Sequence, residues 1–155
     1  MKITTLCFLQ TETDLLLAMK KRGFGAGKLN GIGGKVQGDE TPEQALVREA
    51  FEEIEVTLEE DKLEKVAVIY FKFETKPDWD QECHVYLVSE WEGEPTETEE
   101  MRPEWNSKDA LPFDKMWPDD IHWLPRVLAG DKVRCEFFFD DNQAMKEDFT
   151  IDALI

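Results

Sequence analysis

The sequence predicts an α/β fold, a mixed sheet with helices packed on its faces. Two observations carry this. Runs rich in β-branched and aromatic residues alternate along the chain with segments of helical periodicity. The 155 residues, 41% of them hydrophobic, suffice for one domain spanning 1–155 with a real core. No repeat and no domain boundary interrupts the pattern.

Residues 2–9 and 14–19 read as two short strands joined by the polar turn Gln10-Thr11-Glu12-Thr13, a hairpin. Residues 20–39 are rich in glycine and lysine and lack periodicity, so they form a long loop. Loops of that length inside a compact domain are usually functional. A helix follows over roughly 42–54, with Thr41 as N-cap, Pro42 at the first position and Gln44 completing a capping box. Val66-Ala67-Val68-Ile69-Tyr70-Phe71 marks a strand at 64–74, and Cys83-His84-Val85-Tyr86-Leu87-Val88 marks its partner at 82–90. Between them Lys76-Pro77-Asp78-Trp79-Asp80 is a turn. An acidic stretch from Glu90 to Glu100 leads to a short strand near 101–105. Pro118 opens a helix that reaches about Leu128 and stops at Gly130. Strands at 132–139 and 144–150 close the chain.

The net charge is −17. A chain so acidic is repelled by the backbone of DNA or RNA, whose binding rests on Lys and Arg neutralising phosphates, so no nucleic-acid polymer is expected as a partner. A small nucleotide is different, because bound Mg²⁺ locally inverts the field. No apolar run approaches the length of about 18 residues that a membrane span needs. Residues 1–9 lack the long apolar stretch of a signal peptide. Cys7, Cys83 and Cys135 are odd in number and not in metal-ligand spacing, and they read as reduced thiols of a cytoplasmic protein. His84 and His122 lie among apolar neighbours as packed side chains.

The acidic helix carries the chemistry. In Arg48-Glu49-Ala50-Phe51-Glu52-Glu53 helical spacing sets Glu49, Glu52 and Glu53 at i, i+3 and i+4, on one face. Leu46, Val47, Ala50, Phe51 and Ile54 are expected opposite them. Like charges so placed cost roughly 0.2–0.5 kcal/mol per pair, a penalty that a bound cation removes. Clustered carboxylates suit Mg²⁺, held together with substrate phosphates. Just upstream, Gly31-Ile32-Gly33-Gly34-Lys35 is a flexible segment whose backbone can approach a ligand closely. The combination points to metal-assisted phosphate chemistry.

Gly34, Glu40 and the run from Arg48 to Val56 together resemble the Nudix box. That pattern is Gly, five residues, Glu, seven residues, then Arg-Glu-aliphatic-x-Glu-Glu-x-Gly-aliphatic, and the spacings fit. Two positions depart from it. Ala50 is small where a bulkier aliphatic is usual, which thins the packing under the helix. Glu55 replaces the Gly that commonly ends the helix in the left-handed conformation, which a Cβ disfavours. No acidic position of the pattern is lost.

The flanks are similar to one branch of that family, the animal enzymes acting on oxidised purine nucleoside triphosphates. The segments that carry this are 19–31, Glu100-Met101-Arg102-Pro103 and Met116-Trp117-Pro118-Asp119-Asp120. The likeness runs from near residue 5 to about residue 150. It implies an α/β/α sandwich, dependence on Mg²⁺ with Mn²⁺ as a substitute, and cleavage of a nucleoside triphosphate to monophosphate and pyrophosphate. Substrates such as 8-oxo-dGTP and 2-hydroxy-dATP, a monomer, and a role in clearing the nucleotide pool follow from the same resemblance. It makes Glu49, Glu52 and Glu53 metal ligands, joined by the Gly34 backbone carbonyl. Glu100 joins them from a distant loop as ligand or base. Glu53, Glu100 and Arg48 are the expected catalytic set, Arg48 by orienting Glu52, and Glu40 is a supporting carboxylate.

The purine pocket is expected from Asn30, Phe71, Trp117, Asp119 and Asp120, with Thr5, Phe24, Trp79 and Met101 as walls. Lys20 and the Gly33 backbone complete the set of substrate contacts. Trp117 offers a face for a base to stack on, a contact worth about 1–3 kcal/mol in nucleic-acid systems. Adjacent carboxyls in a poorly solvated pocket split their pKa values, so one donates a hydrogen bond while the other accepts. Two other readings keep part of this. One is a broader Nudix hydrolase acting on dinucleoside polyphosphates, capped RNA or ordinary nucleotides. The other is a nucleotide-binding module without turnover, against which the intact Glu49, Glu52 and Glu53 argue.

Overall fold

A computed structural model describes residues 1–23, 25–142 and 144–155. In these the strands are β1 (Lys2–Leu9), β2 (Asp14–Lys20), β3 (Leu29–Asn30), β4 (Leu63–Phe73), β5 (Gln81–Val88), β6 (Met101–Ser107), β7 (Val133–Phe139) and β8 (Thr150–Ala153). The helices are α1 (Pro42–Ile54) and α2 (Asp120–Leu128). No helix is long and apolar enough to cross a membrane, among the described residues.

Strand alternation divides the core in two. Cys7 and Leu9 of β1, Leu16 and Ala18 of β2, and Tyr86 and Val88 of β5 pack with Leu46, Ala50 and Ile54 of α1. Their neighbours in sequence, Phe8, Leu15, Leu17, Val85 and Leu87, face the other way and pack with Trp123, Leu124 and Val127 of α2. Strands covered on both faces read as continuous apolar runs, which is why β1, β2 and β5 do. The larger sheet has the order β1-β5-β4-β7-β8 and the smaller one β3-β2-β6. β1 is parallel to β5 and β4 to β7, whereas β5–β4 and β7–β8 are antiparallel, so the sheet is mixed.

The expected hairpin at 2–19 does not form. Apart from a bridge between Gln10 and Leu15, β1 and β2 part after the turn and enter different sheets. β1 takes β5 on one edge and the 32–36 segment on the other, through Cys7 N–H to Ile32 O (2.7 Å) and Thr5 N–H to Gly34 O (2.8 Å). The 20–39 loop is likewise not wholly irregular, since β3 pairs Leu29 with Met19. The expected 144–150 strand is reduced to a Phe139–Met145 bridge. Asp140 Oδ1 accepts the Asn142 and Ala144 N–H groups in a tight turn, and the ladder resumes only at Thr150.

α1 starts as its sequence requires. Thr41 Oγ1 accepts the Gln44 N–H (3.1 Å) and Gln44 Oε1 accepts the Thr41 N–H (3.0 Å). Its two faces differ from the expectation. Phe51 is 59% exposed, whereas Glu53 is only 4% exposed. Steps of about 100° place Glu53 on the same side as Leu46, Ala50 and Ile54, so one carboxylate is carried into the interior. α2 begins two residues later than expected. Pro118 precedes the helix, and Asp119 at the N-cap turns its side chain inward instead of capping. The far end meets the expectation: Gly130 has φ +106°, its N–H bonds Val127 O and the Asp131 N–H bonds Arg126 O.

Glu55 ends α1 in the left-handed region, at φ 60° and ψ 33°, the one positive φ among the described non-glycine residues. For an L side chain that conformation costs about 1–2 kcal/mol, part of which glycine returns through its larger unfolded-state entropy. Glu55→Gly is expected to raise the melting temperature by about 2–4 °C in a domain of this size. A lower melting temperature in thermal unfolding would show that the Glu55 side chain contributes more than its backbone costs.

Candidate active site

The glycine loop, β1 and α1 meet in one seam. A Cβ on Gly33 would stand 2.0 Å from the Thr5 carbonyl oxygen, so only glycine fits there, and one on Gly34 would stand 2.6 Å from Glu49 Oε1 and push that side chain aside. In that seam the Gly33 N–H donates to Glu53 Oε1 at 2.9 Å. Thr5 is buried and bonds Gly34 through its backbone N–H and its hydroxyl. Burial pushes the Glu53 carboxyl up to about 8, helped by the nearby charges of Glu49 and Glu100 and opposed by the Gly33 N–H and Lys20. Burial also raises Glu49.

Arg48 organises the outer side of this helix. Its Nε and Nη2 grip Glu40 at 2.8 and 3.0 Å, and Nη1 reaches Glu49 at 2.9 Å. Nη2 also donates to the Lys35 carbonyl at 3.1 Å, tying helix to loop. The contact to Glu52 that sequence spacing suggested is the longest of its ion pairs, at 3.4 Å, with Glu52 half exposed. Arg48 therefore holds Glu40 and Glu49 first. Glu100 lies on the loop before β6, with Arg22 3.8 Å away.

The donor set is one of hard oxygens, and two of its carboxylates resist ionising beside one another, the condition a divalent cation relieves. In that sense the residues fit such an ion. Among the described residues no three acidic, His or Cys side chains converge closely enough to enclose one as they stand. Glu49 is bonded to Arg48 and Glu53 to the Gly33 N–H, while Glu52 and Glu100 are substantially exposed.

From Glu53 a cavity of about 470 Å³ runs between the two sheets to the start of α2. Thr5, Lys20, Asn30, Gly33, Gly34, Phe71, Met101, Trp117, Asp119 and Asp120 all line it. Asn30 spends its Oδ1 on the Gly31 N–H, at 2.8 Å, which sets the amide. Lys28 holds its ammonium 5.2 Å from the Trp117 ring centroid. Trp79 does not line the cavity. It sits in the turn between β4 and β5 with its ring edge-on to Phe73 (5.7 Å) and Lys76 over its face (4.2 Å). Phe24 lies outside the described residues. Sequence reasoning missed Phe73, Phe139 and Trp123, as well as Thr4, Gln81, Cys83, Lys28 and Lys35. Period-2 alternation from Phe71 would have reached Phe73. The others carry no local signal.

Asp119 and Asp120 are each 2% exposed. Trp123 Nε1–H donates to Asp119 Oδ2 at 2.9 Å, the use that turns this side chain away from capping α2. Asp120 Oδ2 is buried with no hydrogen-bond partner, and both acids belong to the cavity lining. Burial pushes Asp119 up to about 6 and raises Asp120 further, since their interaction lowers the first and raises the second. The pair holds a proton on Asp120.

This fixes a sign. Carboxyls raised in the folded state keep protons that the unfolded chain, near pKa 3.9, has already lost. Their contribution to stability is present at low pH and falls as pH rises from about 4 through 6, where Asp119 ionises, and beyond for Asp120. Asp120→Asn removes the group that resists ionisation, so its melting temperature should approach the parent value near pH 4 and exceed it by a growing margin up to pH 8. Melting curves with a constant difference across that range would contradict the assignment.

The family model of the NUDIX domain matches residues 2–127. The oxidized purine nucleoside triphosphate hydrolase of Danio rerio is 43% identical over 146 residues, covering 94% of this chain and 92% of that protein. The mouse protein of the same name is 42% identical over 144 residues, covering 93% and 90%. A solved structure of a mutator MutT protein from Bacillus halodurans has a TM-score of 0.81 at 22% identity over 98% of both chains, a likeness of fold. Nudix hydrolases generally need a divalent metal, commonly Mg²⁺. With the family model spanning most of the chain and these relatives matching it along nearly its whole length, the chain belongs to the Nudix family of hydrolases.

Proposed function

We propose that this protein hydrolyses oxidised purine nucleoside triphosphates to monophosphate and pyrophosphate in a Mg²⁺-dependent reaction, acting as a cytoplasmic monomer on the nucleotide pool. One observation carries the reading. A buried acid pair with an unpartnered oxygen, Asp119–Asp120, opens into the same cavity as the carboxylate end of α1. One end suits a purine's hydrogen-bonding edge, the other a phosphate chain. The relatives in fish and mouse, named for oxidized purine nucleoside triphosphates, agree with it.

Glu49, Glu52 and Glu53, with Glu100, are the groups that would hold Mg²⁺, whereas the Gly34 carbonyl expected to join them accepts the Thr5 N–H and hydroxyl. When bound, the ion supplies charge that neutralises the triphosphate oxygens and makes water a better nucleophile. Arg48 keeps Glu49 in place through its own anchor on Glu40. Lys20, Lys28 and Lys35, the cations lining the cavity among the described residues, attract an anionic substrate to a chain that otherwise repels it. Trp117 stacks on the purine, Asn30 contacts its edge, and the acid pair presents one donor and one acceptor.

Two experiments test this. Glu53→Gln keeps the shape and the acceptor for the Gly33 N–H, so kcat should fall roughly 100-fold or more while the melting temperature stays at or above that of the parent. Near-parental turnover would remove Glu53 from the mechanism. Asn at 119 or 120 freezes one hydrogen-bonding pattern, and a mispaired buried polar group costs about 1–3 kcal/mol. The ratio of kcat/KM for 8-oxo-dGTP over 2-hydroxy-dATP should therefore shift in Asp119→Asn and Asp120→Asn, with metal-dependent hydrolysis retained. Equal losses on both substrates would leave the pair a structural role. A parent enzyme preferring undamaged nucleotides or dinucleoside polyphosphates would replace the proposal with a broader hydrolase.

A further inference from the structure

The cavity has a second polar wall. β1 and β5 run parallel with Lys2 opposite Gln81 and Thr4 opposite Cys83, and the side chains of Thr4, Gln81 and Cys83 all line the cavity. Thr4 is 9% exposed and Cys83 5%. Thr4 Oγ1 donates to Gln81 Oε1 at 3.3 Å. Burial pushes the Cys83 thiol up to about 12. With its carbonyl turned to Thr4, the Gln81 amide has its NH₂, two donors, left to offer.

The wall belongs to the purine end of the cavity. Gln81 pairs in register with Phe71 of β4, which lines the same cavity as Asp119 and Asp120. That end of the pocket therefore has an acid pair on one side and an amide donor on another. An oxidised purine differs from its parent by an added oxygen, a carbonyl acceptor where the parent has a C–H. A donor satisfied by that oxygen is left unpaired by the parent base, which is how a site built to hydrogen-bond discriminates.

We propose that Gln81 is a specificity-determining residue, its amide N–H donating to the added carbonyl oxygen of an oxidised purine, with Thr4 as the positioning residue that holds the amide in that orientation. The proposal rests on the oxidised-purine reading of the cavity. Gln81→Met keeps length and volume and removes both donors, and Thr4→Val releases the amide. Binding of 8-oxo-dGMP and dGMP to the metal-free protein, measured by calorimetry, reads the effect without turnover.

In Gln81→Met, 8-oxo-dGMP should bind about tenfold more weakly while dGMP changes by less than about twofold. With Mg²⁺, KM for 8-oxo-dGTP should rise at unchanged kcat. Thr4→Val should move in the same direction by less. Gln81→Glu, which presents an acceptor instead, should lose at least as much and serves as the test if the Met variant does not fold. Equal weakening for both nucleotides, or unchanged discrimination in a folded variant, overturns the role of Gln81. A parent protein that binds 8-oxo-dGMP and dGMP equally overturns the oxidised-purine reading itself.

Discussion

The hydrogen bond from the Gly33 N–H to Glu53 Oε1 is the constraint on which the rest of this molecule depends. It joins the glycine loop to α1 at the point where that loop also pairs with β1 through Thr5 and Gly34. Without it, a carboxyl 4% exposed would have been driven into the interior with no compensation. The bond exists because two successive residues lack a Cβ, letting backbone lie against backbone on one side and against Glu49 on the other. Loop, helix and sheet are thereby registered to each other, and the carboxylate end of the cavity has a definite place relative to the purine end.

Charge is managed locally in a chain of net charge −17. Arg48 is shared among Glu40, Glu49 and Glu52, so a helix dense in carboxylates is held by one guanidinium whose fork matches a carboxylate two bonds at a time. The partial burial of Arg48 and Glu40 makes that grip worth more than an exposed pair. At the other end the acids are handled differently. Asp119 and Asp120 have an indole N–H and each other in place of a cation, so they hold a proton and can both give and accept a hydrogen bond. Burial raises carboxyls at both ends of the cavity, and what differs is the partners the fold supplies, a backbone N–H for Glu53 and an indole N–H for Asp119.

The cavity itself exists because β1 and β2 part. Had the chain closed a hairpin there, the small sheet would have continued the large one and no cleft would lie between them. Both strands are apolar on both faces, so each requires cover above and below and a neighbour on each edge, and a simple hairpin satisfies neither. β5 and β6, which arrive from far along the chain, meet those needs instead.

The sequence by itself determined what local chemistry decides. It set the start of α1 through Thr41 and Gln44, the strain at Glu55, the end of α2 at Gly130, the identity of the carboxylate run and the Trp117-Asp119-Asp120 group. These depend on backbone preferences and on spacing within a few residues, which a chain carries wherever it folds. The tertiary structure decided the rest: that Glu53 turns inward while Phe51 turns out, that Arg48 grips Glu40 first, that Trp79 stays behind Phe73, and that Thr4, Gln81 and Cys83 share a wall with the acid pair. Each of these follows from which distant segment covers a given edge or face. Periodicity tells which residues share a side, but only the pairing of β1 with β5 and the packing of the two helices tell what that side meets.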